Sequence, residues 1–209
     1  MAILHEATLS PTKLELVKSW LPTRSWYQGS DDPTVTKVAG FRFDDPAGEV
    51  GIETLIVNAD GSLYQVPLTY RGAPLAGHEK WLVGTMHHSV LGERFAYDAC
   101  GDPVYVAVVA AAMLGTAAQA EEYRSSEGKL ERIEPSMFAR GSGGPGQVPT
   151  AITHVDEGDP TLVVTDTVTV AVRRDLANTA SEAEGQATLT GRWAGSGRVL
   201  LAYLDTLEP

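Results

Sequence analysis

The sequence predicts an α+β fold, with an antiparallel sheet and packed helices in the N-terminal half and a β-rich antiparallel half after it. Three observations carry the prediction. Leu14, Leu16, Val17 and Trp20 repeat at helical spacing, whereas Val35 to Phe43 and Thr165 to Val172 alternate with a period of two. Between those strand-like regions, Asp102-Pro103 opens a long run rich in alanine and valine that reads as a helix.

The elements follow in order. Ser10-Pro11 predicts a capped helix start, because proline needs no N–H in the first turn, and Pro22 ends that helix. After Gly29-Ser30-Asp31-Asp32-Pro33, strands are expected over Val35 to Phe43 and Val50 to Asn58. Asp60-Gly61 accepts the positive φ angles of a tight hairpin and returns the chain as Leu63 to Tyr70. Gly84 to Val90 and Arg94 to Tyr97 form a further pair. The run Val104 to Ala120 is apolar nearly all round, which predicts a helix packed on more than one side. A buried strand is the alternative for its first half. Polar Glu121 to Gly128 is the boundary candidate. Beyond it, Lys129 to Arg140, Val148 to Val155, Thr161 to Arg174, Gln186 to Trp193 and Arg198 to Tyr203 read as strands, the last two joined by Ala194-Gly195-Ser196-Gly197. Asn178 to Gly185 is polar and expected to be mobile.

Composition narrows the function classes. A chain of 209 residues with 43% hydrophobic and 21% charged residues is long enough for a substantial core. Its net charge of −11 argues against nucleic acid or an anionic membrane as a partner, since both repel an acidic surface. A single cysteine, Cys100, cannot form an intrachain disulfide and is expected to be buried and inert. Met1 to Lys13 lacks the basic start and apolar run of a signal peptide, and Val104 to Leu114 is too short to span a bilayer. A soluble, cytoplasmic protein is the expectation.

Short motifs that suggest chemistry have plainer readings. Gly141-Ser142-Gly143-Gly144-Pro145-Gly146 fits G-x-G-x-x-G, but a strand rather than a helix is expected after it, so it reads as a connection. His87 and His88 are adjacent on a strand and point to opposite faces, which prevents them from sharing one ion. His154-Val155-Asp156 and Asp156-Glu157-Gly158-Asp159 read as a solvated acidic turn, because the full calcium-loop ligand pattern is missing. No Ser/His/Asp arrangement is evident.

The stretch Trp20-Leu21-Pro22-Thr23-Arg24-Ser25-Trp26-Tyr27-Gln28-Gly29 resembles the entry segment of the N-terminal cap of actinobacterial maltokinases, W-L-P-x-x-R-W-[FY]-x-G. Three further pieces resemble that cap in the same order: Tyr64-Gln65-Val66-Pro67-Leu68-Thr69-Tyr70-Arg71, Val83-Gly84-Thr85, and Phe95-Ala96-Tyr97-Asp98-Ala99 leading to Asp102-Pro103. The resemblance covers about residues 8–118 and departs at Ser30, where many maltokinases carry lysine. Trp20, Trp26 and Tyr27 are large anchors for pinning the first helix to the sheet. They are also the candidate ligand or partner contacts, as a stacking platform for a sugar.

Past residue 128, Thr161 to Leu176 resembles the kinase hairpin whose second strand carries the lysine that grips the nucleotide phosphates. Ala171 stands in that place, and alanine cannot donate a charge-assisted hydrogen bond. No counterpart of the H-x-D catalytic loop is found before Pro209. The expected organisation is therefore a cap-like subdomain over residues 1–125 and a β-rich subdomain over 126–209, similar to the rest of a kinase N-lobe. The resemblance implies a link to the trehalose–maltose route to α-glucan, where maltokinases make maltose 1-phosphate. The expectation is a non-catalytic accessory or binding protein with no cofactor, metal or catalytic residue. Its expected partners are an α-glucan or trehalose-pathway enzyme and a sugar ligand. The alternatives are one subunit of a split sugar kinase or a β-rich small-molecule carrier.

Overall fold

A computed structural model describes residues 2–5, 7–126, 129–177 and 185–205, with backbone alone at 2–5 and 126. The polar stretch expected to be mobile lies, but for Gly185, outside the described residues. The first helix, α1 (Lys13–Trp20), starts later than the Ser10-Pro11 pair predicts. Ser10 belongs to a two-residue strand, and Thr12 caps the helix instead. The reason is a capping box: Glu15 N–H donates to the Thr12 hydroxyl, and Thr12 N–H donates back to the Glu15 carboxylate. Pro22 falls in the single 3-10 turn, Leu21–Thr23, that closes the helix.

In chain order the strands of the first half are β1 (Ala2–His5), β2 (Leu9–Ser10), β3 (Val35–Phe43), β4 (Gly51–Ala59), β5 (Ser62–Arg71), β6 (Leu82–His88) and β7 (Gly92–Asp98). All but β1 form one antiparallel sheet, ordered β2-β6-β7-β5-β4-β3. The β4–β5 turn has φ of 52° at Asp60 and 96° at Gly61, the left-handed pair that Asp-Gly tolerates.

Helix α2 (Pro103–Met113) begins as predicted, with the Asp102 carboxylate accepting from Val104 N–H and proline in the first turn. It ends at Met113 and does not run on to Ala120. Gly115, at φ 75°, turns the chain, and Gly115 N–H and Thr116 N–H donate back to Ala112 and Ala111. This is the Schellman geometry that a left-handed glycine permits. The alanines beyond it extend the apolar run without extending the helix.

The second half supplies β8 (Glu122–Ser126), β9 (Lys129–Arg132), β10 (Met137–Gly141), β11 (Ile152–Asp156), β12 (Thr161–Thr165), β13 (Thr169–Val172), β14 (Thr188–Trp193) and β15 (Val199–Asp205). The polar boundary stretch is largely strand: β8 lies between β1 and β9 in a small sheet, and the 125/126 boundary falls inside it. The remaining strands make a second six-stranded antiparallel sheet, ordered β10-β14-β15-β13-β12-β11.

Four layers result: α1, the first sheet, α2, the second sheet. The uniformly apolar surface of α2 is explained by its place between the sheets. Val109 and Met113 are fully buried in one core that also holds Phe41 and Ile56 from the first sheet and Val163 and Leu201 from the second. Burying each such side chain stabilises by about 1.5–3 kcal/mol. A second core lies on the far face of the first sheet, where Val17, Trp20 and Leu21 pack on Leu55, Val57 and Val66.

The halves are also joined through backbone. Strand β5 pairs with β4 along one side, but β7 covers only its second half, Leu68 to Arg71. Residues 173–176 occupy the vacant edge: Gln65 N–H donates to Arg174 C=O, and Leu176 N–H donates to Leu63 C=O. Close approach also fixes Gly141, where a Cβ would lie 1.9 Å from the Ala112 carbonyl oxygen. Gly141→Ala is expected to cost about 2 kcal/mol by forcing β10 away from α2, read as a lower urea midpoint with an unchanged slope.

Candidate functional site

Trp20, Trp26 and Tyr27 come together in the core beneath α1. The indoles of Trp20 and Trp26 meet edge to face at 5.7 Å, and Tyr64 of β5 packs against Trp26 at 6.0 Å and Tyr27 at 5.2 Å. All three residues are buried. Their rings face one another, Tyr64 and a guanidinium. That guanidinium belongs to Arg174, 4.9 Å from the Trp26 ring centre, a cation–π contact.

Arg174 is the charged centre of the junction between the halves. Its Nη2 donates to both oxygens of Asp98, at 2.7 and 3.0 Å, and its Nε donates to the Thr161 hydroxyl at 2.8 Å. Both ionic side chains are essentially inaccessible to solvent. A second pair lies nearby, where Arg71 clamps Asp102 through Nε and Nη2 at 2.8 and 2.7 Å while the Thr69 hydroxyl donates to the same carboxylate. Cys100 sits beside the Asp98–Arg174 pair, and burial pushes its thiol far above the usual range. It is an inert core residue.

The face of the first sheet that α1 covers continues past the N-terminus of the helix, and there it is polar. Alternation along β4 puts Glu53 on this face, at the end of the row Ala59, Val57 and Leu55. Three cations surround the buried Glu53 carboxylate: Lys13 from α1, Arg42 at 3.0 Å and Lys37 at 3.6 Å, both from β3. The Tyr70 hydroxyl donates to it at 3.1 Å. Burial alone would raise the Glu53 carboxyl, but the attraction of Lys13, Arg42 and Lys37 overcomes it and holds the group at about 2. Burial is also the main reason Lys13 is held below the usual lysine range, with Arg42 and Lys37 adding repulsion. Arg42 lies 3.5 Å from Glu122 of β8 as well.

Beside this cluster opens a cavity of about 550 Å³, whose lining includes Lys13, Arg42, Tyr70 and Arg94 on the sheet side and Asp45 and Glu49 from the β3–β4 turn. That volume is within the range of small-molecule sites. A larger open groove of about 1310 Å³ runs along β10 and β14. The β10 edge beside this groove is partly closed. On β10, the Gln119 side-chain amide takes the place of a neighbouring strand, donating to Met137 C=O and accepting from Ala139 N–H.

The model of the maltokinase N-terminal cap domain matches residues 20–102. The chain carries a maltokinase N-terminal cap-like domain. No curated protein matches it.

Within the cap-like domain, the signature segments are where the structural contacts concentrate. The Trp-rich entry supplies Trp20 and Trp26, the β5 segment supplies Arg71, and the Tyr-Asp-Ala and Asp-Pro pieces supply Asp98 and Asp102. Outside the cap-like match, Arg174 completes the set from the segment after β13. Thr161 to Arg174, read from its alternation as one strand, is two: the Thr165 side chain accepts from Thr167 and Val168 N–H and turns the chain there. Strands β12 and β13 so form the hairpin that the resemblance implies, and Ala171 lies fully buried between its strand partners Leu162 and Tyr203.

The remaining motifs are separate from one another. His87 and His88 are on β6, and His88 Nδ1 accepts from Val90 and Leu91 N–H. His154 and Asp156 pair at 2.7 Å on the exposed edge strand β11. Gly141 to Gly146 leads from β10 across to β11 at the opposite edge of the sheet, and Gly143 N–H donates to Met113 C=O. Among the described residues, no group of three or more His, Cys, Asp or Glu is placed to hold a metal ion, and no helix is long and apolar enough to cross a membrane. Sequence reasoning missed the Glu53 cluster. The signal for it is a glutamate in the inward register of an otherwise apolar strand, with Arg42 set between two buried phenylalanines.

Proposed function

We propose that this chain is a non-catalytic accessory or binding protein of maltokinase lineage. It acts in the cytoplasm on the trehalose–maltose route to α-glucan, with a pathway enzyme or a sugar as its partner. The observation that carries the reading is Ala171. Phosphoryl transfer is catalysed by fixing the nucleotide phosphates with cations, and the strand position that resembles the kinase lysine holds a buried methyl group instead. The cap-like match supports the lineage. When the pure chain is incubated with Mg²⁺-ATP and either maltose or glucosamine, no sugar phosphate is expected. ATP-dependent formation of either product overturns the proposal.

A second reading, one subunit of a split sugar kinase, is favoured by one surface. Phe138 of β10 is 65% exposed on the face of the second sheet that points away from α2, a face it shares by alternation with half-buried Leu162, Val164 and Tyr203. This reading requires a separate catalytic lobe, and mixing the two chains would then generate the activity that neither shows alone.

A further inference from the structure

We propose that the cavity beside Glu53 binds a small molecule through a phosphate or carboxylate head, with Arg94 as its principal contact. This inference goes beyond the accessory role and stands whether or not that role holds.

Two cations of the Glu53 cluster, Lys13 and Arg42, line the site, with the Glu53 and Glu122 carboxylates that pair with them set behind its wall. Arg94 adds a third cation. It projects from β7, opposite Met86, into the same cavity, is half-buried, and has no carboxylate within ion-pair distance among the described residues. A guanidinium is always charged and presents a planar fork of donors that fits an oxyanion. A half-buried one without a partner lacks compensation that a bound anion would provide. Tyr70, on the neighbouring strand and the same face, places its hydroxyl at the cluster as a further polar group.

The carboxylates of the opposite wall do not cancel this arrangement. Both oxygens of Asp45 are engaged by the turn it caps, accepting from the N–H groups of Ala47, Glu49 and Val50. Asp44 and Glu49 also line the cavity and are exposed at its rim, and Asp44 is engaged in a contact of its own. Cations on the floor and carboxylates at the rim suit a ligand whose anionic head enters first and whose hydroxyl groups remain near the mouth. The volume of about 550 Å³ is large enough for such a molecule and small for a macromolecular segment.

Calorimetric titration of the full chain with inorganic phosphate, glucose 6-phosphate, gluconate and glucose tests the proposal. Glucose 6-phosphate or gluconate is expected to bind, inorganic phosphate more weakly and glucose undetectably. The ranking of the first two identifies the head group. Arg94→Gln is expected to weaken binding roughly tenfold or more while leaving the unliganded melting temperature unchanged. If that variant does not fold, phenylglyoxal modification of the wild-type chain supplies the readout, with ligand expected to protect Arg94 as measured by peptide mass. Absence of binding by all three anions overturns the proposal. So does glucose binding as tightly as its phosphate, an Arg94→Gln affinity equal to wild type, or modification of Arg94 unaffected by ligand.

Discussion

Replacing Asp98 by alanine is expected to lower the stability of the protein by roughly 3–5 kcal/mol, as the loss of one partner from a buried ion pair does. The size follows from what remains. Arg174 is fully buried, and without Asp98 the side-chain partners left beside it are neutral, the Thr161 hydroxyl and the Cys100 thiol. A guanidinium cannot shed its proton at any accessible pH, so the charge stays in the core uncompensated. The double exchange Asp98→Ala with Arg174→Met removes both charges and should recover a large part of the loss. Chemical denaturation of the two singles and the double gives the coupling energy, and a double variant no more stable than Asp98→Ala would refute the account.

The second large effect is at Glu53, and it carries a pH signature. Its carboxyl lies at about 2 in the folded chain against an ordinary 4.5, so the folded state favours the charged form. Stability from this group is therefore fully present above about pH 4.5 and is lost as the pH falls towards 2. The shift corresponds to roughly 3 kcal/mol. Lys13 acts in the opposite sense, because its lowered value makes its charge a cost. That cost is constant throughout the acid range and does not shape the acid limb. Glu53→Gln is expected to destabilise by about 3 kcal/mol at pH 7, with the difference from wild type shrinking between pH 5 and 2. Urea unfolding at stepped pH measures it, and a pH-independent difference would rule out the ionic origin.

Much of this fold is legible in local sequence because its signals are short-range. The Asp60-Gly61 turn, the Asp102-Pro103 cap and the alternation of Val35 to Phe43 depend on neighbours within a few residues. The errors arise where two local signals compete. Ser10-Pro11 and Thr12 both offer a helix start, and the reciprocal bond from Glu15 decides for Thr12. The alanines after Gly115 continue the apolar composition of α2 while the backbone has already turned.

The candidate site was largely hidden for a different reason. Its members come from positions 13, 37, 42, 53, 70 and 94, and a charged residue on a strand announces nothing until the register places it. Trp20, Trp26 and Tyr27 were visible because bulky aromatics stand out in any sequence. What could not be read was that Arg174, from the far end of the chain, lies against one of them.

The edge of β5 completed by residues 173–176 has a consequence for the cap-like stretch in isolation. Residues 20–102, the stretch that matches the cap model, do not include the strand-like segment that closes their own sheet or the arginine that neutralises Asp98. Excised at those limits, the cap would expose a row of unpaired backbone groups and an unanswered carboxylate. In this chain the cap-like stretch is not a portable module, since its sheet edge and its buried carboxylate both depend on residues 173–176.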